Sequence, residues 1–289
     1  MTPKSKNVIL ENLSELKRRA DITAEQRSLT LAQLAESLLG DSAPIEELYS
    51  ECIGTYVGAS VFEKLSVCRA LCEIYSINDA SDIPSLIDTS LQTTAGSHGK
   101  IALVRNIYND MALTRFSVVI PHSKPIYYTN FESSCEAVSS GICEFTVLPI
   151  ENTSDGKMFG FYSLMDSYEL KIAAVCKIEA ENPAKTIIYA LVGRSTVSEI
   201  YTRTKAAQKI FEFSLSCYSG FESHDIFDAA RLSSAKLLSI SSIPLAYDAS
   251  VTRIYYSFAI DNRADMCAFL LYLSLEFPSH TPLGLFFEI

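Results

Sequence analysis

Four things are scarce or missing in this sequence, and each absence removes a class of function. Positive charge is short: 24 lysines and arginines face 34 acidic residues, a net charge of -10. That balance argues against a sequence-independent grip on nucleic acid and against docking on anionic membranes, both of which need cations along phosphates. Long apolar runs are missing. The longest, Met266 to Phe277, is interrupted by Ser274 and Glu276 and falls short of the roughly 20 apolar residues that span a bilayer. Met1 to Asn7 is polar and basic and no continuous apolar segment follows, so no export signal is read and a cytoplasmic protein is expected. Ligand pairs are also missing. The four histidines (His98, His122, His224, His280) stand far apart, and none of the eight cysteines forms a C-x-x-C pair. No metal site is therefore expected, and the cysteines read as reduced thiols inside cores.

What is present is core material. In 289 residues, 48% are hydrophobic, enough for two or three domains. Residues 1–98 read as a helical domain. Val8, Leu10, Leu13 and Leu16 start a stripe at helical spacing. Thr23-Ala-Glu-Gln26 and Ser60-Val-Phe-Glu63 have the form of capping boxes, in which a hydroxyl and a carboxyl or amide satisfy the open amides of a helix start. Pro44 fits the first turn of a helix through Leu48 and Cys52, and a short helix is expected after Ser81. Thr93 to Gly99 is a linker of small residues.

From Lys100 the period changes. Ile101–Val104, Pro125–Thr129 and Glu144–Leu148 read as strands, with a helix over Phe131–Ser140. A helix at Phe159–Tyr168 and strands at Leu170–Cys176 and Thr186–Val192 complete an α/β lobe over residues 99–205. Residues 206–289 read as strand 211–217, helix 225–238, strands 243–247 and 253–260, helix 264–277 and strand 283–289. That β-α-β-β-α-β order is the ferredoxin-like arrangement.

Two adjoining stretches carry a resemblance. Phe131-Glu-Ser-Ser-Cys-Glu-Ala-Val-Ser-Ser-Gly141, followed by Phe145-Thr-Val-Leu-Pro-Ile-Glu-Asn-Thr-Ser-Asp-Gly156, resembles the prephenate dehydratase family, with its Pro-Ile-Glu-Asn-Ser/Thr motif and a glycine shortly after. The resemblance implies a periplasmic-binding-protein-like α/β lobe followed by an ACT-like regulatory domain, a homodimer, and a small-molecule anion such as prephenate or an aromatic amino acid as ligand. Neither the residues nor the resemblance requires a cofactor. Physically, the motif falls at the carboxyl end of a strand, where α/β sheets place their crevices. Glu151, Asn152, Thr153, Ser154 and Gly156 are the candidate ligand-binding residues: short polar groups suited to a carboxylate or hydroxyl, and a glycine that lets backbone approach. The competing reading of these residues is a turn that caps the next helix. In the last segment Ser242 and Pro244 match the family's helix-to-strand turn, whose other residues differ here.

The departures from the family pattern are specific. Arg105-Asn-Ile-Tyr-Asn-Asp110 stands where a glycine-rich loop follows the first strand, and Thr186-Ile-Ile-Tyr stands where the family has a catalytic Thr-Arg-Phe strand. A Thr114-Arg115-Phe116 does occur, but ahead of the motif. Only about thirty residues separate Gly156 from Thr186, too few for a second lobe. The expectation is therefore a degenerate member linked to phenylalanine biosynthesis that binds a ligand or regulates. An active dehydratase forming phenylpyruvate, its missing lobe supplied by residues 1–98 or another subunit, is the first alternative. A structural or partner-binding protein is the second.

Overall fold

The computed structural model describes residues 3–37, 44–54, 58–83, 86, 99–179, 186–203, 208–218, 223–245 and 248–289. The chain opens with helices α1 (Pro3–Ser37), α2 (Ile45–Gly54) and α3 (Val61–Ile74), then a 3-10 turn at Ala80–Asp82. Next come β1 (Lys100–Val104), α4 (Ile107–Phe116), β2 (Lys124–Tyr128), α5 (Phe131–Ser139), β3 (Phe145–Asn152), β4 (Gly156–Lys157), α6 (Phe159–Ser167), β5 (Lys171–Glu179) and β6 (Thr186–Gly193). The rest is α7 (Glu199–Arg203), β7 (Lys209–Tyr218), α8 (His224–Leu232), β8 (Lys236–Leu245), β9 (Asp248–Ile260), α9 (Arg263–Glu276) and β10 (Thr281–Phe286). Two compact units emerge: residues 1–79, 222–234 and 262–278 form one, and residues 80–221, 235–261 and 279–289 the other.

The first unit is helical, with α3 packed on α1, α2, α8 and α9. Ser60 caps α3: its hydroxyl accepts from the Glu63 amide while the Glu63 carboxylate accepts from the Ser60 amide, a reciprocal box as the sequence predicts. The Glu63 carboxylate, buried with its residue at 1% exposure, also pairs with Arg27 of α1 at 2.6 Å. Tyr49 donates to Glu276 at 2.6 Å, and Lys64 pairs with the same carboxylate, so one acid ties α2 and α3 to α9. Arg69 donates to the Leu232 carbonyl at 2.9 Å and ties α3 to α8. The box expected at Thr23–Gln26 is absent, because α1 runs unbroken through it. Thr23 turns its hydroxyl back to the Arg19 carbonyl at 2.8 Å instead, and no residue nearby stops the helix.

The second unit holds two sheets. The first has the order β2-β1-β3-β6-β5, with β4 paired to β3. Its strands β1, β2 and β3 are parallel, and β6 runs antiparallel to both β3 and β5. β3 is almost wholly buried, as a central strand covered on both faces must be. The second sheet is antiparallel with order β10-β7-β9-β8, the ferredoxin-like strand order. One core joins the two sheets: Tyr162 and Met165 of α6 and Leu148, Ile150 and Ile172 of the first sheet pack with Tyr255, Leu283 and Phe286 of the second. Phe159 and Tyr162 meet Tyr255 with ring centroids 5.8 and 5.3 Å apart, and Arg253 donates to Asp166 at 2.6 Å. The chain's last residues add an edge to β5: Val175 donates to the Phe287 carbonyl at 3.0 Å, and Ile289 to the Val175 carbonyl at 2.9 Å.

Two expected elements differ. The helix expected over 225–238 ends at Leu232, where Ser233 closes it and Ser234 turns left-handed at φ 54°, so Leu237 and Leu238 belong to β8. The Arg105–Asp110 stretch, which stands where the family has a loop, leads into α4, a helix the sequence reading did not place. Asn106 caps it by accepting from the Tyr108 amide at 2.9 Å. The linker residues before Gly99 lie outside the described residues.

Candidate functional site

The Pro-Ile-Glu-Asn-Thr run ends β3, and the next residues fold back into the two-residue β4. The chain reverses through a tight turn at Thr153–Asp155, made possible by Gly156 at φ +76°. Asn152, 7% exposed, organises that turn. Its carboxamide oxygen accepts from the Ser154 amide (2.8 Å), the Ser154 hydroxyl (2.7 Å) and the Asp155 amide (2.8 Å), and its nitrogen donates to Asp155 Oδ2 at 2.7 Å. This is an Asx turn reinforced by two side chains. Thr153 is tied to the start of β6: its amide donates to the Thr186 carbonyl and its hydroxyl oxygen accepts from the Thr186 amide, both at 3.0 Å. The five predicted residues thus stand together at the carboxyl end of the central strand. Thr153, Ser154 and Asp155 are exposed at the tip, and Glu151 and Gly156 are half-buried. Helix α6 begins at Phe159 without a side-chain cap.

Thr114-Arg115-Phe116 lies on α4, not on a strand. Phe116 is fully buried, while Arg115 points outward into a groove of about 830 Å³. Ile107, Tyr108, Met111, Thr114 and Arg115 form one wall, and Lys177, Ile178, Glu179, Thr186 and Ile289 the other.

Beside the turn sits a charged cluster that the motif analysis passed over. Lys157, the residue after Gly156, donates to Glu212 Oε1 at 2.6 Å and to the Tyr162 hydroxyl at 2.8 Å. The side chains of Lys157 and Glu212 are only 5% and 4% exposed. Burial, then the Glu212 charge and hydrogen bond, push the Tyr162 hydroxyl well above its ordinary pKa. The signal was in the sequence: Glu212 is a lone acid between Phe211 and Phe213, and a buried charge demands a partner. The network joins the motif's hairpin to β7 of the second sheet.

All eight cysteines are buried and none forms a disulfide. Burial pushes the thiols of Cys72 and Cys176 up to about 12 and that of Cys135 to about 11, so they are inert packing rather than nucleophiles. Among the described residues no group of three or more His, Cys, Asp or Glu side chains could hold a metal ion, and no helix is long and apolar enough to cross a membrane.

Fold and turn together define a class: a mixed α/β sheet with a polar turn at its central strand's carboxyl end, packed on a ferredoxin-like antiparallel sheet. Within that class, residues 105–237, a little under half of the chain, match the family model for prephenate dehydratase. Among solved structures, the prephenate dehydratase from Streptococcus mutans aligns with a TM-score of 0.53 at 15% identity, over 65% of this chain and 98% of its own. GqqA, described as a novel type of quorum quenching acylase, aligns with a TM-score of 0.51 at 16% identity, over 65% of this chain and 95% of its own. At these identities the likeness is one of fold. No curated protein matches the chain.

Proposed function

We propose that this is a prephenate-dehydratase-like protein, linked to phenylalanine biosynthesis, that binds a small organic anion and does not dehydrate prephenate. The observation that carries this reading is the state of Asn152. Its oxygen already accepts three hydrogen bonds and its nitrogen holds Asp155, so the side chain is committed to its own turn. Dehydration with decarboxylation needs a proton donor at the departing hydroxyl and a site closed to water. The motif supplies neither, and the arginine of Thr114-Arg115-Phe116 stands on a helix in an open groove. Glu151, Asn152, Thr153, Ser154 and Gly156 are, in this reading, a rigid polar edge that an anion approaches.

The ferredoxin-like sheet is read as an ACT-like regulatory element and the protein as a homodimer. Strand β8 is an outer strand of its sheet, and Leu238 and Ile240 on it are 44% and 46% exposed, a combination suited to pairing with a second copy. The test is prephenate itself, with phenylpyruvate formation followed alongside saturable binding. Binding without turnover is expected. Turnover that disappears in Asn152→Ala would favour an active dehydratase, and neither binding nor turnover would favour a structural role.

A further inference from the structure

The turn that ends β3 is closed on itself. The Thr153 amide donates to the Thr186 carbonyl. The Ser154 amide, the Ser154 hydroxyl and the Asp155 amide converge on one oxygen, Asn152 Oδ1, at 2.7–2.8 Å. The carboxamide nitrogen of Asn152 makes a bond of another kind, donating to Asp155 Oδ2 at 2.7 Å. The two sets differ in what they hold. The bonds on Oδ1 build the Asx turn, and two of the three come from backbone amides that any residue but proline retains. The bond from the nitrogen adds nothing to the path of the chain. It satisfies a donor with a carboxylate from the same turn, which is the group an organic anion would bring. Asn152 is buried and Asp155 exposed, so this bond reaches from a covered residue to the surface. The charge on Asp155 is not offset nearby. Among the described residues no cation pairs with it, and Lys157, two residues on, is spent on Glu212 at 2.6 Å.

We propose that Asp155 is an internal carboxylate that occupies the Asn152 donor, and so limits how tightly this edge holds a small organic anion. Two effects act in the same direction. An arriving carboxylate finds the Asn152 nitrogen already engaged, and the Asp155 charge repels it at short range. Exchanging one carboxylate for another on the same donor gains little, which caps the affinity of any anion in the parent protein. With alanine at 155 the backbone amide still donates to Asn152 Oδ1 while the nitrogen is released, so the turn survives and its donor opens. The hairpin's other acid, Glu151, stays in place throughout, which isolates the effect of Asp155. Asp155 acts through Asn152 and is a positioning residue. This rests on the reading of residues 151–156 as the edge that an anion approaches, and adds the residue that sets its affinity.

The experiment is a calorimetric titration of the full chain with prephenate at mildly alkaline pH, with the fold of each variant checked by circular dichroism. Asp155→Ala is expected to bind about ten- to a hundredfold more tightly than the parent, because a charge-assisted bond is gained and a repulsion lost. Asp155→Asn keeps an acceptor for the Asn152 nitrogen but not the charge, and is expected to gain less, about fivefold. Glu169→Gln is the control. It removes an exposed acid just before β5, which runs parallel to β3 because both are antiparallel to β6, so the change falls at the opposite end of the sheet. It is expected to bind like the parent. The sign of the effect separates this role from a structural one, since removing a residue that merely braced the turn would weaken binding. An Asp155→Asn variant that gains as much as Asp155→Ala, or a Glu169→Gln variant that gains alike, would overturn the proposal. Binding by the parent with no gain in either Asp155 variant would also overturn it, while sparing the anion-binding reading. Binding by Asp155→Ala alone would support the proposal and deny the parent a binding role. Absence of binding throughout would sink both.

Discussion

Replacing Lys157 by Met tests the tie between the motif's hairpin and the second sheet. The substitution keeps most of the side chain's volume but removes the cation that Glu212 and Tyr162 share. With both ionised side chains at 5% exposure or less, the Glu212 carboxylate is left in a dry site with no counter-charge. Removing one partner of such a buried pair costs about 3–5 kcal/mol, far more than a surface pair. The Tyr162 hydroxyl also loses its donor, which adds to the cost in the same direction. Glu212→Leu is expected to cost a similar amount by stranding Lys157. The double variant, Lys157→Met with Glu212→Leu, leaves no buried charge, and apolar replacements of a buried pair range from neutral to about 1–4 kcal/mol stabilising. The cycle therefore predicts two severe single variants and a double variant close to the parent. Urea denaturation followed by tyrosine fluorescence measures all four proteins. Single variants within about 0.5 kcal/mol of the parent would show that the pair contributes like an exposed one. A double variant as weak as the sum of the singles would show that the two side chains do not interact, and either result would refute the reasoning.

Three further outcomes follow from named contacts. Gly284→Ala places a Cβ 2.2 Å from the Ile172 carbonyl oxygen, a backbone atom that has no room to yield; a loss of about 1–3 kcal/mol in urea is expected, while Gly160→Ala, whose Cβ meets nothing, serves as control. Burial opposes ionisation of Glu63, but hydrogen bonds from Ser60 and the Arg27 charge outweigh it and hold the carboxyl below its usual pKa. A depressed folded-state pKa contributes stability above the unfolded value of about 4.3, and that contribution is lost as pH falls through the folded value. The stability gap between the parent and Glu63→Gln is thus expected to be full at neutral pH and to close under acid, and a gap constant from pH 7 to pH 3 would contradict it. Leu238→Lys with Ile240→Lys on the β8 edge is expected to turn a dimer into a monomer in sedimentation velocity, and an unchanged sedimentation coefficient would count against pairing through this strand.

Much of this architecture was legible in the sequence where local signals and burial agree. Ser60 and Glu63 announced the start of α3 because both halves of a capping box lie within four residues. The β1, β2 and β3 strands and the ferredoxin-like order were readable from apolar runs and their spacing. What failed was a matter of competing local signals. Thr23–Gln26 has the letters of a cap, yet a Leu-rich helix with Glu15–Arg18 and Glu15–Arg19 pairs runs straight through it. Leu237 and Leu238 continued a helical pattern on paper, and only the left-handed Ser234 diverts them into a strand. α4 was missed because its exposed Ile107 and Met111 give no clean apolar stripe and its cap is a single asparagine. At the site, the motif's position on β3 was legible from its spacing. The use of Asn152 to hold its own turn was not, since a carboxamide that binds a ligand and one that binds a turn are written with the same residue. Lys157 and Glu212 lie 55 positions apart, and no local pattern links them.

The most direct test of the account follows phenylpyruvate while the pure, folded protein is held with prephenate at mildly alkaline pH, where spontaneous breakdown is slow. The account predicts formation no faster than in buffer alone, together with saturable binding of prephenate. Formation clearly above that background, abolished by Asn152→Ala, would contradict it and make the chain a dehydratase.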